Sequence, residues 1–573
     1  MYQNRSSTGI ECSEYIVTMG VPRLFKYISD RHPTHIRRFE KGTYTCNVDY
    51  MYIDSNAILH NVAQRVWNYG QHKRVLYAYT PFGKLTKEQK TIRTYEMYFE
   101  EIVELTKIVV PTKVLYIAID GVAPAGKICQ QRERRFQAAS KNAGTDFNSN
   151  VISPGTVFES NLTNYMYYAI RKEMSTNPAW KDLEVIFSPP TVPGEGEHKI
   201  LDYIRSIDKP IRNRSTHCMY GPDGDLIMLT LATHCPHFLL LKEDAFDPQC
   251  VMYYILNMGR IGRDLTRDMN GSATAIDDFI LIGFFVGNDF LPKVQMFHML
   301  ENGLDTMIGV YNSLGLPLSN GSGEVIMDNF HRFVIRVASF EIAELERQAT
   351  VNVRDTRFVN RTLLRHMTHG RVNLKTYADA YYDKARVTDP AGVLHSGVKE
   401  MCHSYVRMMV WVFMYYTKGC PSFMDYYPYY YAPLMTDLAR TTFSHVNISF
   451  DHADPLTPFQ QLLCVLPAND RSLLPSPYHK LMIRSSPIFE FYPSTFDIDY
   501  EGKLQEYQGV ALLPFIDIPK VVECYNSVKT VYTYKRNTLG RVRTFKRDDR
   551  TTECRRYTSA YGTIHDCRIH ARS

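Results

Sequence analysis

At 573 residues the chain is too long for one simple core, so two or more subdomains are expected. Its hydrophobic share of 45% is ordinary for a globular protein, and no apolar run is long and clean enough to span a membrane. A net charge of +6 permits nucleic-acid binding through a local basic patch without requiring it. The 12 cysteines form no C-x-x-C pair and no Cys/His spacing for structural zinc, which reads as a reduced intracellular protein; a cytoplasmic place is expected ahead of a nuclear one.

Residues 1–18 lack the apolar core of a signal peptide and read as a flexible extension ahead of Met19. Next, MGVPRLFKYIS predicts a short amphipathic helix with Leu24, Phe25 and Ile28 on one side. Val48 to Ile53 reads as a strand with Asp54 at its carboxyl end, followed by Asn56 and His60 on a turn or helix. Taken alone, Asp54 reads more readily as a helix cap and His60 as a packed core histidine. Residues 92–110 look helical and lead into a second strand, Leu115 to Ile119, that ends at Asp120. Gly121, Pro124 and Gly126 then break the backbone, and a helix begins at Lys127. On it Lys127, Gln131, Arg134 and Arg135 fall within an arc of roughly 100°. Cations and an amide suit a phosphate, although a solvated basic helix explains them equally well. Strand, helix, strand in this order suggests an α/β unit with a parallel sheet, whose ligands gather beyond the carboxyl ends of the strands. Asp54 and Asp120 then share one rim.

Residues 155–174 predict a helix capped near Pro154-Gly155, followed by the strand LEVIFS and the turn PPTVPGEGEHK. In that turn Glu195 and Glu197 flank Gly196, and the irregular backbone lets both carboxylates project toward one point. In YGPDGDLIML, Asp223 and Asp225 are two apart, so an extended backbone would face them the same way. A calcium loop of the EF-hand type is disfavoured, because the required glutamate does not follow. IDDFILIGFFVGNDF is an apolar helix ending at Asp289, a buried carboxylate in want of a partner. Asp54, Asp120, Glu195, Glu197, Asp223, Asp225 and Asp289 together form the oxygen-rich set that two magnesium ions need. Without metal they would repel one another and titrate high.

These segments resemble the 5′→3′ exoribonuclease (XRN, or Pacman) family. The matching stretches are MGVPRLFKYIS, YIDSNAILHN, AIDGVAPAGKICQQRERRF, SPGTVFESNL, VPGEGEHKILDYIR, YGPDGDLIML and IDDFILIGFFVGNDFLP. WVFMYYTKGCPSFMDYYPYYYAPLMTDL, PFQQLLCVLP, FYPSTFDIDYEGK and YQGVALLPFID resemble the family's second characteristic region. The resemblance runs from about Met19 to about Asp517. It implies a PIN-like (FEN-related) α/β nuclease core with a central, mainly parallel sheet and a mainly helical second region packed around it. The implied division is an extension over 1–18, a nuclease domain over 19–315, a helical connection over 316–400, the second region over 401–528 and a basic tail over 529–573.

The implied activity is processive two-metal hydrolysis (Mg²⁺ or Mn²⁺) of single-stranded RNA from a 5′-monophosphate end, such as decapped mRNA, releasing nucleoside 5′-monophosphates. The implied partners are that RNA and a decapping enzyme; the protein would be a monomer away from membranes. By motif the seven acids are the catalytic metal ligands, and Lys127, Gln131, Arg134 and Arg135 the 5′-phosphate pocket. His60 matches a histidine stacked on the first base, Pro124 a proline where a duplex would clash, and Asn56 would help guide the strand. The family usually has Arg at Ala125, Ala at Gly224 and Trp at Phe423 and Asp425. The zinc knuckle of its nuclear branch and the large carboxyl-terminal domains of its cytoplasmic branch are not in this sequence. A flap-cutting DNA nuclease would share the acids but not the second region, and an inactive RNA-binding scaffold should have lost an acid. The tail, with Lys535, Arg536, Arg541, Arg543, Lys546, Arg547, Arg550, Arg555 and Arg556, reads as a solvated end or as an RNA-tracking arm.

Overall fold

The computed structural model describes residues 21, 23–72, 77–141, 146–244, 251–297, 303–351, 355–385, 396–443, 448–503, 505–530, 532–548 and 556–572. The extension 1–18, Met19, Arg550 and Arg555 lie outside them.

The centre is a nine-stranded sheet. Its strands are β1 (Ile36–Glu40), β2 (Cys46–Asp54), β3 (Val109–Ala118), β4 (Glu184–Ser188), β5 (His217–Tyr220), β6 (Phe238–Asp244), β7 (Met252–Asn257), β8 (Arg543–Arg547) and β9 (Ile569–Arg572). The spatial order is β1-β7-β6-β5-β2-β3-β4-β8-β9. The five central strands, β6 to β4, are mutually parallel, and both flanks add antiparallel strands.

Strands covered on both faces should read as nearly continuous apolar runs, and the central ones do. Along β2, Tyr50 and Tyr52 enter one core while Met51 and Ile53 enter the other. Tyr116 and Ile186 continue the first, and Leu115, Ile117, Val185 and Phe187 the second. The first core runs on without a break into the second region, reaching Tyr405, Trp411 and Phe413 of a long helix over Ser396–Thr417. A separate cluster joins Val122, Ala123, Ala125 and Ile128, just after Asp120, to Phe459, Leu462 and Leu463. The helical region is therefore packed against the segments that carry the acids. Among the described residues no helix is long and apolar enough to cross a membrane, and the nine described cysteines are free.

Two expectations change. The helix expected over 155–174 runs over Val157–Thr176, and its cap is the Thr156 hydroxyl, which accepts from Glu159 N, rather than Pro154-Gly155. The basic tail is also more than a solvated end. Arg543 to Phe545 pair with Phe187 to Val185 at the edge of β4, and β9 pairs outside β8. Strand alternation turns Phe545 inward, fully buried, and Lys546 out to solvent. Phe545→Ala should therefore cost about 3–5 kcal/mol, as for other buried phenylalanines. A lowered thermal midpoint checks this, and an unchanged one would mean that the strand adds nothing to the core.

Candidate active site

The parallel strands deliver the acids to one edge. β2 ends in Asp54 itself, and β3 stops at Ala118, just before Asp120. β4 stops at Ser188 ahead of Glu195 and Glu197, and β5 at Tyr220 ahead of Asp223 and Asp225. The register sets Ala118 beside both Asp54 and Ser188, so these carriers finish level. Asp289 arrives from elsewhere, beyond a helix over Ala275–Gly283 and a turn at Gly287, whose φ of +90° suits glycine. All but Asp120 are buried, and Asp120 is half-buried.

The geometry around Asp120 is tight. Gly196 N donates to its Oδ1 at 2.7 Å and Asn56 Nδ2 to its Oδ2 at 2.8 Å. A Cβ on Gly196 would lie 2.6 Å from Asp54 Oδ1 and 3.3 Å from Asp120 Oδ1, so the two glutamates must be separated by a glycine. Oxygens of Asp54, Asp120 and Glu197 lie within 4.8 Å of one another, and so do ligand atoms of Glu195, Glu197 and His198.

Electrostatics favours a cation here. Burial first, then the neighbouring acids, raises Asp54, Glu197 and Asp225 well above the usual carboxylate range. Burial pushes Asp223 up to about 6. Asp54 Oδ1 and Asp225 Oδ1 are buried without a hydrogen-bond partner. Orphaned carboxylate oxygens facing other carboxylates are what a hard, oxygen-seeking ion requires, so this residue set fits a divalent metal. The Lys127 ammonium lies among the acids, paired with Glu195 and 2.7 Å from Asp289 Oδ2.

The backbone at Asp223 and Asp225 differs from expectation. Asp225 is helical, at φ −73° and ψ −18°, and stands directly before a helix over Leu226–Ala232. GPDG turns the chain instead of extending it, and both side chains are nevertheless buried at the same edge.

The basic helix, Ala125–Lys141, divides its cations. Lys127 serves the acids, and Arg134 lies 3.7 Å from Asp289 Oδ1. Arg135 donates to Ser153 Oγ, and burial lowers its guanidinium to about 10 against the opposing charges of Glu159 and Asp120. Gln131 Oε1 is buried without a partner. His60 faces the same side; burial, then Arg135, lowers it to about 4, which keeps its ring neutral at pH 7. Pro124 is buried and its carbonyl accepts from Ile128 N at 2.9 Å, so it opens the helix. Asn56 orients Asp120. At the two positions where the resemblance leads one to expect tryptophan, the Phe423 carbonyl accepts from Ala125 N at 2.8 Å and Asp425 is held by Arg407 at 2.7 Å.

Several residues at this edge gave no signal in the sequence. Lys199 Nζ donates to the carbonyls of Ile119 (2.5 Å), Pro189 and Val192 (both 3.2 Å), tying together the loops that carry Asp120 and Glu195. Lys242 Nζ holds the carbonyls of Pro222 and Asp223. Gln461 Oε1 accepts from Ala123 N at 2.8 Å, and the Tyr415 hydroxyl donates to Glu195 Oε1 at 3.1 Å. Only a lysine's place on a buried helix face could have hinted at Lys199. The others come from remote strands and helices.

Residues 19–146 and 140–244 match the family profile described as XRN 5′-3′ exonuclease N-terminus, and 271–370 and 365–551 match the one described as Xrn1 helical domain. The human protein named 5′-3′ exoribonuclease 1 is 30% identical over an alignment covering 89% of this chain and 34% of that protein. Its Schizosaccharomyces pombe counterpart is 28% identical, covering 89% and 48%. Arabidopsis thaliana 5′-3′ exoribonuclease 2 is 26% identical, covering 90% and 68%. The chain thus spans half or less of the length of the two exoribonuclease 1 relatives.

Proposed function

The chain belongs to the XRN family, and on that footing we propose that it is a processive 5′→3′ exoribonuclease acting on single-stranded RNA with a 5′-monophosphate. The observation that carries the reading is the convergence of all seven acids, with two orphaned oxygens among them, at the carboxyl edge of the sheet. Two Mg²⁺ or Mn²⁺ ions would be held by Asp54, Asp120, Glu195, Glu197, Asp223, Asp225 and Asp289. Such ions, when bound, supply an activated water and stabilise the leaving 3′ oxygen.

The remaining work belongs to the chain. Asn56 and Gly196 N aim Asp120, and Lys127 tempers the mutual repulsion of Glu195 and Asp289. Gln131, Arg134 and Arg135 offer charge-assisted hydrogen bonds to a terminal phosphate. The neutral ring of His60 offers a stacking face to the first base. The short Gly/Pro turn between Asp120 and the basic helix fixes the distance from gripped phosphate to cut bond, so one nucleotide is released per cycle. A decapping enzyme would supply the monophosphate end.

The test is degradation of one RNA, labelled in turn at each end, carrying a 5′-monophosphate, triphosphate or hydroxyl. Rapid release of nucleoside 5′-monophosphates from the monophosphate RNA alone is expected. Internal fragments, or equal cutting of a DNA flap, would point to a structure-specific nuclease. No cutting by a well-folded, metal-loaded protein would point to a binding scaffold.

A further inference from the structure

We propose that Tyr415, from the helical second region, is a positioning residue for the metal centre: its hydroxyl aims the Glu195 carboxylate while its ring clamps His198. The inference rests on the metal-dependent reading above and extends it to a residue outside the acid set.

Tyr415 lies in the last turn of the helix over Ser396–Thr417 and is 2% exposed. Its hydroxyl is 3.1 Å from Glu195 Oε1, whereas Glu195 Oε2 is taken by Lys127. Each oxygen of this glutamate therefore has its own donor, and the two donors come from different parts of the chain. The pair fixes the carboxylate's rotation as well as its place. The Tyr415 ring lies flat on the His198 imidazole, with centroids 3.5 Å apart and planes 6° apart. His198 follows Glu197 directly, so a single side chain restrains the peptide on both sides of Gly196.

Tyr415 is itself held. Trp411, one turn earlier, packs at 4.9 Å and anchors its indole N–H on the Ser422 carbonyl at 3.0 Å. Phe290 meets Tyr415 edge-on at 5.7 Å and follows Asp289 in the chain. The aromatic stack thus ties Glu195, Glu197 and Asp289, acids from two separate segments, to one rigid helix. Hydrogen bonds that orient metal ligands typically matter by about 10–100-fold in metal affinity or activity.

The experiment compares wild type, Tyr415→Phe and Tyr415→Leu by Mn²⁺ binding (electron paramagnetic resonance or calorimetry), by the metal dependence of RNA degradation, and by RNA affinity in EDTA. Tyr415→Phe keeps the stack and removes only the hydroxyl. It should bind Mn²⁺ about 10–100-fold more weakly and lose kcat that added metal restores, with an unchanged RNA affinity and a metal-free thermal midpoint lowered by no more than a few degrees. A merely structural tyrosine would move the midpoint and leave the metal titration alone. Tyr415→Leu should be worse than Tyr415→Phe, since it also releases His198; if it fails to fold, the phenylalanine variant decides. Wild-type Mn²⁺ affinity in Tyr415→Phe overturns the proposal. If the variant binds Mn²⁺ more weakly but even wild type degrades no RNA, the exoribonuclease reading fails and the role of Tyr415 stands. If wild type binds no Mn²⁺, both fall together.

Discussion

Asp223→Ala is expected to lower turnover on 5′-monophosphorylated RNA by about three orders of magnitude, because a misplaced metal forfeits several kcal/mol of transition-state stabilisation. Glu195→Ala should behave alike, and EDTA should abolish wild-type activity. RNA affinity should survive, since Arg135 bonds to Ser153 and keeps its place without Asp223. The loss cannot be put down to unfolding if the metal-free variant is at least as stable as wild type. Removing one of several mutually repelling buried carboxylates should in fact raise its thermal midpoint. Near-wild-type turnover in either variant would refute the ligand assignment.

The same acids set a pH dependence whose sign can be worked out. In the fold Asp223 titrates near 6, and Asp54, Glu197 and Asp225 are also raised. Between the ordinary carboxylate range and these raised values the folded chain holds protons that the unfolded chain has released. Stability therefore falls as pH rises through that window. In EDTA the thermal midpoint of wild type, taken relative to that of Asp223→Asn so that the oppositely acting buried histidines cancel, should be higher at pH 5 than at pH 7. Mg²⁺ should remove or reverse the slope, because binding it expels those protons. A slope indifferent to Mg²⁺ would mean that the acids do not hold the ion.

Asp54, Asp120, Glu195 and Glu197 were legible because a parallel sheet collects whatever follows its strands at one edge, and their three strands announce themselves as short apolar runs, whereas HCMY before Asp223 does not and Asp289 follows a helix. Asp54 and Asp120 could be set on a common rim from the sequence alone. The helical arc was less informative. It grouped Lys127 with Arg134 and Arg135 correctly by angle, but long side chains on a helix lean toward its N-terminus. Lys127, in the first turn, therefore reaches back among the acids, while Arg135, two turns later, meets Ser153. The tail failed for another reason. RTFKR is too short and too charged to read as a strand, and its partner β4 lies some 360 residues earlier, where no local pattern points to it. Tyr415 is hidden in the same way, as one of 40 tyrosines in a chain where most are packing residues.

The remaining large effect concerns the end of the RNA. Arg135→Ala should cost about 2–5 kcal/mol on 5′-monophosphate RNA, roughly 30-fold to several thousand-fold in kcat/KM, if the guanidinium meets the terminal phosphate in a desolvated pocket. The geometry favours Arg135 for this task over Lys127, whose charge is spent on Glu195 and Asp289. In this structure Arg135 is only half-buried, and the oxygen it contacts, that of Ser153, is uncharged. A phosphate would therefore be a stronger partner than the one it has. The nearby Glu159 carboxylate is buried, and burial raises it well above its usual range, so it competes weakly for the same cation. The loss should be large on monophosphate RNA and small on 5′-hydroxyl RNA, which has nothing to offer the pocket. Lys127→Ala should instead disturb both substrates, because it unsettles two of the acids. If Arg135→Ala slows both RNAs equally, the helix grips the RNA backbone at large, and the monophosphate end is selected elsewhere.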